Sequence, residues 1–92
     1  MSICRNTVTI TNSRGLHARA SAKFVTCVSR LPEGLTVMVA KGSNEVAGTS
    51  IMGLMMLGAA KGDCVDIIVS GENADAALEK LTGLVVDGFG ED

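Results

Sequence analysis

His17 is the only histidine in the 92-residue chain, and it sits between two arginines in Ser13-Arg14-Gly15-Leu16-His17-Ala18-Arg19. A neutral imidazole offers a nucleophilic nitrogen near neutral pH. Asn12-Ser13-Arg14-Gly15 is turn chemistry, and from His17 onward the apolar period becomes helical, so the ring is expected where a loop turns into a helix. The first amides of a helix lack partners within it and carry the positive end of its dipole. Such a start disfavours imidazolium and collects anions, which places His17 to carry a phosphoryl group. Arg19 is close enough in sequence to neutralise that group with its guanidinium, while Gly15 frees the backbone. Leu16 and Ala18 complete a candidate phosphate-binding loop. No carboxylate or serine stands at triad spacing, which favours a carrier over a self-contained hydrolase. A second hydroxyl, Ser50, precedes Ile51-Met52-Gly53-Leu54-Met55-Met56-Leu57 and reads as the cap of another helix.

The elements that must position these residues can be read in order. Ile3 to Thr11 alternates as a half-buried strand, with Val8 and Ile10 on the inner face. The helix from His17 has Arg19, Lys23, Thr26 and Arg30 on one side and Ala20, Phe24, Cys27, Val28 and Leu31 on the other; Pro32 and Gly34 end it. Leu35 to Ala40 and Glu45 to Ala47 form a hairpin across Lys41–Asn44. One or two turns of helix after Ser50 stop at Gly58. A fourth strand, Cys64 to Ser70, points Val65, Ile67 and Val69 inward. Asn73 is expected to cap a last helix that buries Ala74, Ala77, Leu78, Leu81 and Val85, and Gly88 to Asp92 reads as a loose end. The order βαββαβα describes one α+β domain over residues 1–92. It is a two-layer open-faced β-sandwich, a four-stranded antiparallel sheet covered on one face by three helices.

Composition excludes several functions. The apolar share of 47% suffices for a core, and Phe24 and Phe89 are the only aromatics, too few for a base-stacking surface. A net charge of -2 with both signs interspersed provides no basic stripe for nucleic acid. Cys4, Cys27 and Cys64 are dispersed and cannot form a zinc set with one histidine, so no metal is expected. They read as free, buried thiols of a reducing, cytoplasmic setting. No apolar run reaches the ~20 residues that span a bilayer.

Gly-Leu-His-Ala-Arg-Ala-Ser-Ala-Lys-Phe-Val at 15–25 resembles the active-site motif of the HPr family, the histidine phosphocarriers of the bacterial phosphoenolpyruvate-dependent phosphotransferase system. The segment Ser50–Gly58 is similar to that family's regulatory serine region. The resemblance implies that enzyme I phosphorylates His17 on Nδ1 and that an enzyme IIA accepts the group, with no cofactor. It also implies an HPr kinase/phosphorylase acting on Ser50. One departure is Ala20, where the family usually has proline; a proline would pre-set the first helical turn. The Ala-Ser form resembles nitrogen-type systems, in which phosphate flow regulates instead of driving sugar uptake.

Met52, Met55 and Met56 fall on a helix too short to bury them all. Ile51, Met52 and Met55 are therefore expected as exposed contacts for enzyme I, the kinase and the acceptor. A stoichiometric carrier, not an enzyme, is the leading reading, and its size suits a monomer. The alternatives are a regulatory binding module switched at Ser50 and a ferredoxin-like small-molecule sensor indifferent to His17 and Arg19.

Overall fold

A computed structural model describes residues 2–91. Its strands are β1 (Ser2–Thr9), β2 (Thr36–Lys41), β3 (Asn44–Ala47) and β4 (Cys64–Gly71), and its helices α1 (Ala18–Ser29), α2 (Ile51–Met56) and α3 (Ala74–Val86). The four strands form one antiparallel sheet in the order β1-β4-β2-β3. Period-2 alternation decides which face is covered: Val65, Ile67 and Val69 of β4 and Val37 and Val39 of β2 are buried, while their neighbours are partly or fully exposed except for Ala40, which is buried too. The three helices lie on that face, and Phe24, Leu54, Leu81 and Val85 meet the sheet in an aliphatic core.

β1 is an edge strand, so of its residues only Val8 is buried. It ends at Thr9, short of the expected Thr11, because Ile10 leaves the β4 ladder. The Ile10 amide bonds to Asp63 O at 2.8 Å and its carbonyl accepts from Gly62 at 2.8 Å, both in the turn before β4. Ile10 is still buried as the alternation predicts.

α3 buries Ala74, Ala77, Leu78, Leu81 and Val85, the expected stripe. Asn73 does precede it, but in the left-handed region at φ 59 and without a side-chain cap hydrogen bond. Its role is to turn the chain, which asparagine tolerates better than most residues. The expectation of a loose end after α3 is also corrected. Gly88, Phe89 and Gly90 make a tight turn with φ of 67, 59 and 73, and Phe89 is 1% exposed. A non-glycine residue held left-handed costs about 1–2 kcal/mol; burying a phenylalanine side chain contributes about 1.5–3 kcal/mol, enough to hold it there. Asp92 lies outside the described residues.

Candidate functional site

His17 is the residue at which loop becomes helix. It is extended (φ -77, ψ -177) and caps α1, with its Nδ1 accepting from the Arg19 amide at 3.3 Å. Gly15 sets its position. The φ of this glycine is +63, and a Cβ there would overlap Ala59 O and lie 2.9 Å from Ala60 Cα. The close approach lets the Leu16 amide donate to Ala59 O at 2.9 Å, with the Leu16 side chain buried. Ser21, also buried, ties the same turn together through Oγ to Leu16 O at 3.3 Å.

The opposite ring nitrogen has a partner that sequence spacing did not disclose. His17 Nε2 lies 3.0 Å from Glu91 Oε2 and 3.3 Å from Oε1, 74 residues away in sequence. A carboxylate accepts, so Nε2 donates; Nδ1, which accepts from an amide, carries no proton. Burial raises the proton affinity of Glu91, but hydrogen bonds from Asn12 and His17, the charge that His17 carries whenever its ring is protonated, and the charge of Lys23 outweigh it and hold the carboxyl below its ordinary range. Asn12 is buried and its Nδ2 bridges Gly15 O at 2.8 Å and Glu91 Oε1 at 3.1 Å. Its Oδ1 is buried without a partner, a cost of about 1–3 kcal/mol accepted at the one place where loop and terminal turn are joined. Lys23 Nζ completes the junction by donating to Phe89 O at 2.7 Å.

Ser13, Arg14, Arg19, Lys23, Gly90 and Glu91 line a polar cleft of about 380 Å³, connected to the ring through Glu91. The Arg19 side chain is exposed on this cleft, and its closest link to His17 is its main-chain amide. Ala18 is exposed at the first helical position, and Ala20 is fully buried. The Ser21 amide makes the first intrahelical bond, to His17 O at 2.9 Å. Ala20 therefore has no carbonyl one turn back to bond, which is why its position suits proline as well as alanine.

Ser50 caps α2, accepting from the Gly53 amide at 2.9 Å. Ile51, Met52, Met55 and Met56 are exposed and enclose an apolar depression of about 450 Å³. Met56, absent from the expected contact set, is the most exposed of the four at 78%. The thiols are free, but the expectation that all are buried fails: Cys4 and Cys27 are half-buried and Cys64 is exposed at the start of an outer strand pair. Among the described residues no cluster of His, Cys, Asp and Glu could hold a metal, and no helix is long and apolar enough to cross a membrane.

The open-faced α+β sandwich thus carries a helix-capping histidine and a cleft lined by Arg14, Arg19, Lys23 and Glu91. The family model described as "PTS HPr component phosphorylation site" matches residues 4–87. The phosphocarrier protein HPr of Neisseria meningitidis serogroup A is 42% identical over 87 residues, covering 95% of this chain and 96% of its own. Phosphocarrier protein NPr of Shewanella violacea is 36% identical over 84 residues, covering 91% and 90%. The crystal structure of HPr-C-His from Thermoanaerobacter tengcongensis superposes with a TM-score of 0.88 at 35% identity, covering 97% and 98%. The chain belongs to the HPr family of phosphotransferase-system phosphocarriers.

Proposed function

We propose that His17 accepts a phosphoryl group on Nδ1 from phosphorylated enzyme I and hands it to an enzyme IIA. The chain is then a stoichiometric carrier that catalyses nothing by itself. One observation supports this reading most: Nδ1 accepts from the Arg19 amide at the start of α1, while Nε2 lies against the Glu91 carboxylate, which favours the tautomer with its proton on Nε2. The nucleophilic lone pair thus points toward the end of the helix where negative charge is stabilised. A phosphoryl group arriving there would displace the Nδ1 contact with the Arg19 amide and offer that amide its own oxygens. The amides of Ala18 and Ala20 are the other donors of the first turn. Arg19 and Arg14 on the cleft supply positive charge to the equatorial oxygens, and transfer needs little beyond such positioning and neutralisation.

Ile51, Met52 and Met55 provide a flexible apolar face on which enzyme I, acceptor and kinase would dock in turn. Ser50 is the proposed target of an HPr kinase/phosphorylase. A phosphate on this cap would be stabilised by the helix start, and its charge beside the docking face would oppose another phosphoprotein. Ala20-Ser21 supports a nitrogen-type acceptor, the family supports work in the cytoplasm, and the small size of the chain supports a monomer. Incubation with phosphoenolpyruvate and enzyme I tests the reading. The wild type should gain one acid-labile phosphate and His17→Ala none; labelling of the variant to the same level refutes it.

A further inference from the structure

We propose that Glu91 is a positioning residue for phosphoryl transfer: its carboxylate holds the proton on His17 Nε2 and supplies the counter-charge when Nδ1 carries the phosphoryl group. This rests on the reading of His17 as the acceptor. Five observations fix the carboxylate in place. Phe89, two residues before it, is buried in the core. The left-handed turn of Gly88–Gly90 redirects the chain toward the ring. Lys23 holds Phe89 O, and Asn12 holds Glu91 Oε1. The Glu91 side chain is only 12% exposed, less than the ring it faces at 22%.

The charge balance shows what this contact does. The neutral ring forms a bond from Nδ1 to phosphorus as the donor's bond to phosphorus breaks, and that electron pair leaves with the donor. The proton stays on Nε2, so the product is a phosphorylated imidazolium with a formal positive charge. When the group moves on, the Nδ1–P electron pair returns to Nδ1 and a neutral imidazole departs. Without the Nε2 proton the leaving group would be an imidazolate, which is far poorer. Arg14 from the loop, and Arg19 and Lys23 from α1, are the charged groups that share a cleft with Glu91, and Glu91 is the only acid among the described residues lining it. Glu91 therefore keeps the carried group transferable over a wider pH range.

The experiment is a pH titration of the ring by ¹⁵N NMR in protein phosphorylated with phosphoenolpyruvate and enzyme I, comparing wild type with Glu91→Gln. Glutamine keeps the size and can accept from Nε2–H, but it lacks the charge. The midpoint for loss of the Nε2 proton should fall by about one pH unit in the variant, an opposite charge in hydrogen-bond contact being worth about that much or more. Hydrolysis of the phosphorylated form should lose its acid-promoted phase at correspondingly lower pH. Identical midpoints in a folded, phosphorylated variant overturn the role of Glu91 alone. Failure of the wild type to form any phosphohistidine overturns both this inference and the carrier reading.

Discussion

Phe89 is the anchor through which the turn after α3 reaches His17, and Phe89→Ala tests that connection. In a closed core, truncating phenylalanine to alanine costs about 3–5 kcal/mol, the spread reflecting how far the site can collapse. Phe89 is buried against the core at 1% exposure, but it hangs from a three-residue turn that can move inward. The expected loss is accordingly at the lower end, about 3 kcal/mol. Alanine is as strained as phenylalanine at φ 59, so no compensation comes from the backbone. A small domain is held by about 5–15 kcal/mol in total, so the change removes a substantial share of it. The chain has no tryptophan or tyrosine, so unfolding in urea is best followed by far-UV circular dichroism. With a slope of about 1 kcal/mol per molar for a protein of this size, the midpoint should drop by about 3 M. In the folded fraction the His17 ring resonances should shift as well, because Glu91 loses its anchor. A midpoint change below about 1 M, or unchanged ring resonances, would refute the idea that the terminal turn is part of the core and of the site.

Gly15→Ala should cost about 1.5–3.5 kcal/mol, combining left-handed strain of about 1–2 kcal/mol with loss of the Leu16–Ala59 hydrogen bond at about 0.5–1.5 kcal/mol; thermal unfolding would register it, and a neutral result would mean the loop can retreat from Ala59. At low pH, two carboxylates should contribute to the loss of stability together with Glu91. The Asp63 pKa is lowered by hydrogen bonds from the Ala60 amide and Lys41, and that of Asp66 by the Thr7 hydroxyl and, against some desolvation, by Arg5. Groups whose folded pKa is depressed stabilise above the unfolded value near 4 and lose that contribution as pH falls through the folded one. Stability measured from pH 5 downward should fall below about pH 4, and more shallowly in the Asp63→Asn/Asp66→Asn double variant; equal slopes would remove these two groups as the cause.

Most of the scaffold was legible because its signals are local. Alternation in Cys64–Ser70, the helical stripe of α3 and the cap at Ser50 each depend on neighbours within a few residues, and each stands where expected. His17 and Gly15 were legible for the same reason: a turn, a glycine and a change of period meet there. Glu91 was not. Its partner is 74 positions away, and nothing in Gly88-Phe89-Gly90-Glu91 has a period. The one available signal was Phe89, a large apolar residue in a segment otherwise composed of turn formers, which needed somewhere to be buried. Asn73 was placed correctly and given the wrong task, because capping and left-handed turning favour the same residue type.

The contact between Glu91 and His17 also has a bearing on how the molecule is assembled. It closes nearly the whole chain into a loop, and the entropy of such closure must be met by the packing of β4 and α3 before the two side chains can meet. Partly folded chains with an ordered α1 would present the ring, the helix start and Arg19 but not the carboxylate. Completion of the acceptor thus requires the loop before α1 and the turn after α3 to be in place together.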